Sequence, residues 1–247
     1  MGGHLGGAQA SSTAVLILQE YLSPGRLGDR PVDLVDLSVA IDFAATAVAS
    51  LAPADNPMSA PGTTLSGLMV LHTAEGPYWL SFNVGDSRAY VVGGGGVRQL
   101  THDHSALQEA RDLAATSGAP RVIPPANVVT KALGAGQSGG VKADYTIMPL
   151  EEGDRAVICT DGVHGVLSDS QIHALVAAGN GPQGDADALV RAALEGGTRD
   201  NASAVVVYAG TESRVTLPSN VMSRMIQPVR PASIETARRI PRRKGSN

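Results

Sequence analysis

Three candidate strands follow one another with almost no chain between them: Thr64 to Thr73, Pro77 to Val84 and Ser87 to Val92. Connections this short join antiparallel neighbours, so the spacing predicts a meander, closed by the turn Gly93-Gly94-Gly95-Gly96. No helix start or lysine follows the glycine run, as a phosphate cradle would require, and it is read as a hairpin turn. Tyr145 to Leu150 and Arg155 to Thr160 form a second pair around Glu151-Glu152-Gly153-Asp154, and Ala202 to Tyr208 is a last apolar strand. Aromatic residues are only 3% of the 247, so Val, Leu, Ile and Ala must fill the core.

Helical periodicity appears on both sides of the strands. Ala8 to Leu22, rich in Ala and Leu, predicts a largely buried helix that ends at Ser23-Pro24-Gly25. Asp33 to Leu51 repeats Leu34, Leu37, Ile41, Ala44, Ala45 and Val48 at helical spacing before Pro53, Pro57 and Pro61 enforce a loop. A short helix is expected from Ala106 to Thr116, one toward Ala178 opened by a capping box of Ser168 and Gln171, and another over Ala186 to Glu195.

Charge divides the chain. Residues 211–247 carry eight basic side chains against Glu212 and Glu235, a surplus of +6, so with a net charge of −4 residues 1–210 hold −10. The acidic part suits carboxylates gathered for cations, and the total gives no case for binding nucleic acid. The segment after Gly210 loses periodicity and is read as a flexible basic tail, a solvated linker rather than an anchor to membrane or nucleic acid. No apolar stretch reaches the about 20 residues of a membrane span, and no signal-type start is present, so a cytoplasmic protein is expected. The single cysteine, Cys159, excludes an internal disulfide and sits in an apolar run, which predicts a buried thiol.

Three aspartates share one local context, each at a strand end beside glycine or asparagine: Gly85-Asp86-Ser87, Thr160-Asp161-Gly162 and Arg199-Asp200-Asn201. Singly, each reads as a turn. Repeated, they read as carboxylates projecting past a sheet rim toward one point, where magnesium or manganese would relieve their repulsion through hard oxygen ligands.

Ordered segments along the body then make a resemblance specific. They are Met1-Gly2-Gly3-His4, Gly62-Thr63-Thr64-Leu65, Val84-Gly85-Asp86-Ser87-Arg88-Ala89-Tyr90, Leu100-Thr101-His102-Asp103-His104-Ser105, Asn127-Val128-Val129-Thr130-Lys131-Ala132-Leu133-Gly134, Gly153-Asp154, Thr160-Asp161-Gly162-Val163 and Gly197-Thr198-Arg199-Asp200-Asn201-Ala202-Ser203. In these the chain resembles the bacterial metal-dependent (PPM-type, type 2C) protein serine/threonine phosphatases. The resemblance implies an α+β fold, a four-layer αββα sandwich of two antiparallel sheets flanked by helices, with the metals at one end. Residues 1–210 would form the phosphatase domain and residues 211–247 the tail. Carried over by position, Asp161 and Asp200 look like ligands of a two-metal core of Mn2+ or Mg2+, and Asp86 with Asp161 like the pair for a third. The implied reaction is attack of a metal-activated water on phosphoserine or phosphothreonine in a protein, opposing a bacterial Ser/Thr kinase.

The family motif reads Asp-Gly-Met-Gly-Gly-His, whereas this sequence starts at the methionine, so the bridging aspartate and the earlier strands are expected to lie before residue 1. The alternative is a shortened regulatory pseudophosphatase that binds a phosphoprotein or partner without turnover. The remaining residues have plainer readings: His4 holds a glycine-rich turn, His104 is structural, and His72, His102, His164 and His173 are surface or packing residues. Arg88 pairs with local carboxylates, and Ala106 to Asn127 takes the place of the family's flap beside the active site.

Overall fold

The computed structural model describes residues 6–28, 30–56, 59–117, 123–125, 127–135, 140–210 and 238–239. Helix α1 (Gly7–Tyr21) and the single turn α2 (Pro24–Leu27) lead into α3 (Leu34–Ala49). The start of α3 is fixed by its own side chains. Asp33 Oδ1 accepts from the amides of Val35 (2.8 Å) and Asp36 (2.9 Å), while Asp36 Oδ2 accepts from the Asp33 amide (3.0 Å). The expectation that the first helix is largely buried does not hold. Ala10 and Ala14 are its buried residues, whereas Val15 and Leu16 are exposed. Alanine allows a close approach to the rest of the fold along one stripe, and the other side of this outer-layer helix has nothing over it among the described residues.

The strands β1 (Gly62–Thr63), β2 (Leu65–Thr73), β3 (Gly76–Val84), β4 (Arg88–Gly93) and β5 (Gly96–Gln99) then follow. The predicted meander is cut in the middle. β2 and β3 pair from Leu65 opposite Val84 to Thr73 opposite Gly76, but β4 and β5 belong to a different sheet. The chain changes sheets at Gly85, whose φ of 113° and close approach to Thr64 no side chain could share. A Cβ there would lie 2.4 Å from Thr64 Cγ2.

Helix α4 (Ala106–Ser117), the short β6 (Leu133–Gly134), β7 (Asp144–Pro149) and β8 (Arg155–Cys159) come next. They are followed by the helical turn α5 (Asp161–His164), then α6 (Asp169–Ala177), α7 (Pro182–Glu195), β9 (Ala204–Tyr208) and β10 (Arg238–Arg239). The capping box of α6 forms as expected, with Gln171 Oε1 on the Ser168 amide at 2.9 Å. α7 begins earlier than the apolar repeat suggests, because Pro182 supplies a ready first turn. β1 pairs with β6. One larger sheet has the order β10-β7-β3-β2 and the other β5-β4-β8-β9, both antiparallel except for the two-residue parallel pairing of β10 on β7. Apart from Arg238 and Arg239, the segment read as a flexible tail lies outside the described residues.

Alternation along the strands creates the layers. Tyr78, Leu80 and Val84 of β3, with Ile147 of β7, pack against Leu37, Ile41 and Val48 of α3. Tyr90 and Val92 of β4, with Val157 of β8, face Ile172 of α6 and Leu189 of α7. The opposite faces meet between the sheets through Trp79, Val91, Leu100, Met148 and Ala156. The Trp79 Nε1–H donates across this layer to Asp154 at 3.0 Å. The order is helix, sheet, sheet, helix, the four-layer sandwich expected. Among the described residues no helix is long and apolar enough to cross a membrane.

Candidate metal centre

Strand register brings the three aspartates to one end of the second sheet. Cys159 of β8 lies opposite Arg88 of β4 and opposite Ala204 of β9. Asp86 precedes that row on one neighbour, Asp161 follows it on the central strand, and Asp200 precedes it on the other neighbour. Three adjacent strands thus carry one carboxylate each past the same rim.

The loops at that rim are tied together. Thr160 donates its amide to the Ser203 carbonyl (3.1 Å) and its Oγ1 to the Asn201 carbonyl (3.2 Å), while accepting from the Ser203 amide (3.0 Å). Gly162 permits this contact, since a Cβ there would lie 2.3 Å from the Asn201 carbonyl oxygen. The half-buried Asp161 and the exposed Asp200 are each held by the next residue: the Gly162 amide donates to Asp161 Oδ1 (3.0 Å) and the Asn201 amide to Asp200 Oδ1 (2.7 Å).

Asp86 is buried, and burial, followed by the charge of Asp161, raises its carboxyl to about 6. Among the described residues Asp86 has no ion-pair partner. A buried carboxylate set against a second one is a donor pair that a hard divalent cation relieves, so these oxygens fit magnesium or manganese. The charge of Asp161 is thus felt at Asp86, and Asp200 shares their rim. Among the described residues no group of three or more His, Cys, Asp or Glu side chains is close enough to hold a metal ion together. His4 lies outside the described residues.

Two histidines sit beside Asp86. His104 is buried and accepts the Gly85 amide on Nδ1 at 3.0 Å, which places its proton on Nε2, 3.1 Å from Asp144 Oδ2. The Gly85 carbonyl accepts from the His104 amide (2.9 Å) and from Asn83 Nδ2 (2.9 Å), so this peptide is gripped at both ends. The structural reading of His104 agrees with this, and its place is at the site itself. His164 differs from the surface or packing expectation, since its Nε2 lies 2.9 Å from the Asp86 carbonyl oxygen. A lone histidine three residues after an aspartate carries no recognisable spacing, so only the fold reveals it. Burial lowers the pKa of both rings, with Asp144 opposing the shift at His104 and Arg88 adding to it at His164.

Arg88 is committed locally, as expected. Its Nη2 lies 2.7 Å from Asp103 Oδ2, its Nε donates to the same carboxylate, and its Nη1 donates to the Tyr90 hydroxyl at 3.2 Å. Cys159 is buried as expected, and burial pushes its thiol up to about 12.

A layered sandwich with three acids along one rim suits a metal-dependent hydrolase. The chain belongs to the protein phosphatase 2C family, which it matches over residues 1–191. Asp200 lies beyond that stretch. The serine/threonine phosphatase stp of Listeria innocua is 26% identical over 210 residues, 84% of this chain and 81% of the relative. Among solved structures, the PPM Ser-Thr phosphatase MsPP of Mycobacterium smegmatis, in complex with cacodylate, is 29% identical with a TM-score of 0.65, covering 82% of each chain. The catalytic domain of the phosphatase PstP, solved with two manganese ions, is 26% identical with a TM-score of 0.63, covering 83% of each chain.

Proposed function

We propose that this chain removes phosphate from phosphoserine and phosphothreonine in proteins, in dependence on Mn2+ or Mg2+. Asp161 and Asp200 serve as ligands of the metal core, and Asp86 with Asp161 forms the pair for a further cation. The observation that carries the reading is the buried Asp86 carboxylate set against Asp161 at a sheet rim. A bound divalent cation supplies a water of lowered pKa and offsets negative charge on the phosphoryl oxygens.

The chain's own residues prepare the geometry. Gly162 and Asn201 amides orient the carboxylates of Asp161 and Asp200, and His104 and Asn83 hold the Gly85 peptide that carries Asp86. Arg88, engaged with Asp103 and Tyr90, leaves the phosphate to other groups. The start of α4 is anchored beside this rim, with the Ala106 amide on the Val128 carbonyl at 2.9 Å and Ser105 bridged to Val129. This supports the segment from Ala106 to Asn127 as a flap that shapes substrate choice. Residues 1–210 act as the phosphatase domain, and residues 211–247 serve as a basic linker. The substrates are cytoplasmic proteins modified by a bacterial Ser/Thr kinase, in keeping with the bacterial serine/threonine phosphatases among the relatives.

The purified chain with manganese is expected to hydrolyse p-nitrophenyl phosphate and a phosphothreonine peptide, and Asp161→Ala to abolish both. Undiminished release by Asp161→Ala rejects the assignment. Phosphoprotein binding with no release under either metal would favour the regulatory pseudophosphatase instead.

A further inference from the structure

We infer that His164 is a positioning residue of the metal site, one that sets the separation between Asp86 and Asp161 through a hydrogen bond to the Asp86 main chain. The inference rests on the metal-dependent reading above and names a residue that reading does not require. His164 closes the turn α5 that Asp161 opens. Its Nε2 stands 2.9 Å from the carbonyl oxygen of Asp86, across 78 positions of sequence. A carbonyl only accepts, so Nε2 carries the hydrogen.

Both ends of this link have firm footing. On one side Val163 is fully buried and Gly162 lies against the Asn201 carbonyl, which fixes α5 and with it the Asp161 backbone. On the other, His104 and Asn83 grip the Gly85 peptide immediately before Asp86. Asp86 rides on the passage from one sheet to the other, and Asp161 on the far sheet alone. The β4–β8 ladder, which sets Arg88 opposite Cys159, joins the two acid-bearing segments two residues back from each carboxylate, and the His164 hydrogen bond ties them again beyond the end of that ladder. A cation held by both carboxylates depends on their spacing, and groups that orient ligands commonly change metal affinity by about 10- to 100-fold.

The test is calorimetric titration of manganese into the metal-stripped full chain, comparing the wild type with His164→Leu, which keeps bulk without a donor, and His164→Gln, whose amide nitrogen reaches near the Nε2 position. His164→Leu is expected to weaken binding by about 10-fold or more and His164→Gln to stay within about threefold of the wild type. Wild-type binding by His164→Leu, or an equal loss in His164→Gln, overturns the inference. Asp161→Asn is the separate control: if it binds manganese like the wild type, the metal reading itself fails. A second measurement needs neither metal nor a folded variant. Nitrogen-15 imidazole spectra of the metal-free wild type should show His164 as the Nε2–H tautomer with a slowly exchanging proton, and the Nδ1–H tautomer overturns the inference.

Discussion

An ionised carboxylate that leaves water for the interior loses hydration, and at Asp86 the neighbouring charge of Asp161 adds to that penalty. With the folded carboxyl raised to about 6, the folded chain holds this proton more tightly than the unfolded one. The resulting stability is complete below about pH 4 and is lost as pH climbs through 6. Asp86→Asn should therefore raise the Tm of the metal-free chain above pH 6, by about 2–4 °C for each kcal/mol of penalty removed, and leave it unchanged near pH 4. The same variant should lose the share of the manganese-induced Tm increase that the cation between Asp86 and Asp161 supplies, which thermal melts with and without metal would read. Gly162→Ala makes a steric test of the rim: its Cβ would meet the Asn201 carbonyl at 2.3 Å, so a loss of about 1–3 kcal/mol in denaturant melts is expected, together with lowered phosphatase activity. The aspartates could be read from the sequence because one small context repeats three times. The histidines that hold Asp86 could not, because their partners are main-chain atoms of distant segments.

At the scale of elements, local signals written into a few neighbouring residues survived folding unchanged. The capping box of α6 and the glycine hairpin between β4 and β5 are such cases, each decided within four residues. The meander failed where the decision was not local. Ser87 to Val92 alternates as a strand whichever sheet receives it, and only the turn at Gly85, wedged against Thr64, directs it to the second layer. α1 failed for a related reason, since Ala and Leu promote a helix without saying which side will be covered. The cap of α3 gives a prediction free of the active site. Removing the Asp33 carboxylate by Asp33→Ala strands the Val35 and Asp36 amides, and should cost about 1 kcal/mol, or about 2–4 °C in Tm, with phosphatase activity retained.

For the molecule as a whole, acid should act through His104 and His164. Burial lowers both rings below the ordinary 6.5, so the unfolded chain takes up their protons first and stability declines as pH falls through about 6.5. Asp86 pulls the other way between pH 6 and 4. The clean comparison is thus Asp86→Asn alone, whose metal-free Tm should drop steadily from pH 7.5 to 5.5; a flat profile would contradict the buried-neutral assignment of the two rings. The four layers were legible from the family resemblance, and the strands' alternation accounts for them physically. What stayed hidden is how the layers share the work of building the rim, because that depends on which strand ends come level once the sheets are stacked.

Because Asp86, Asp161 and Asp200 sit just beyond the ends of neighbouring strands of one sheet, cation affinity doubles as a gauge of how those strands are aligned. If β4 slipped along β8, the grip on the ion would slacken while the other sheet kept its own ladder of hydrogen bonds. Fraying at this one end of the sheet should therefore expel metal well before circular dichroism registers any general loss of strand.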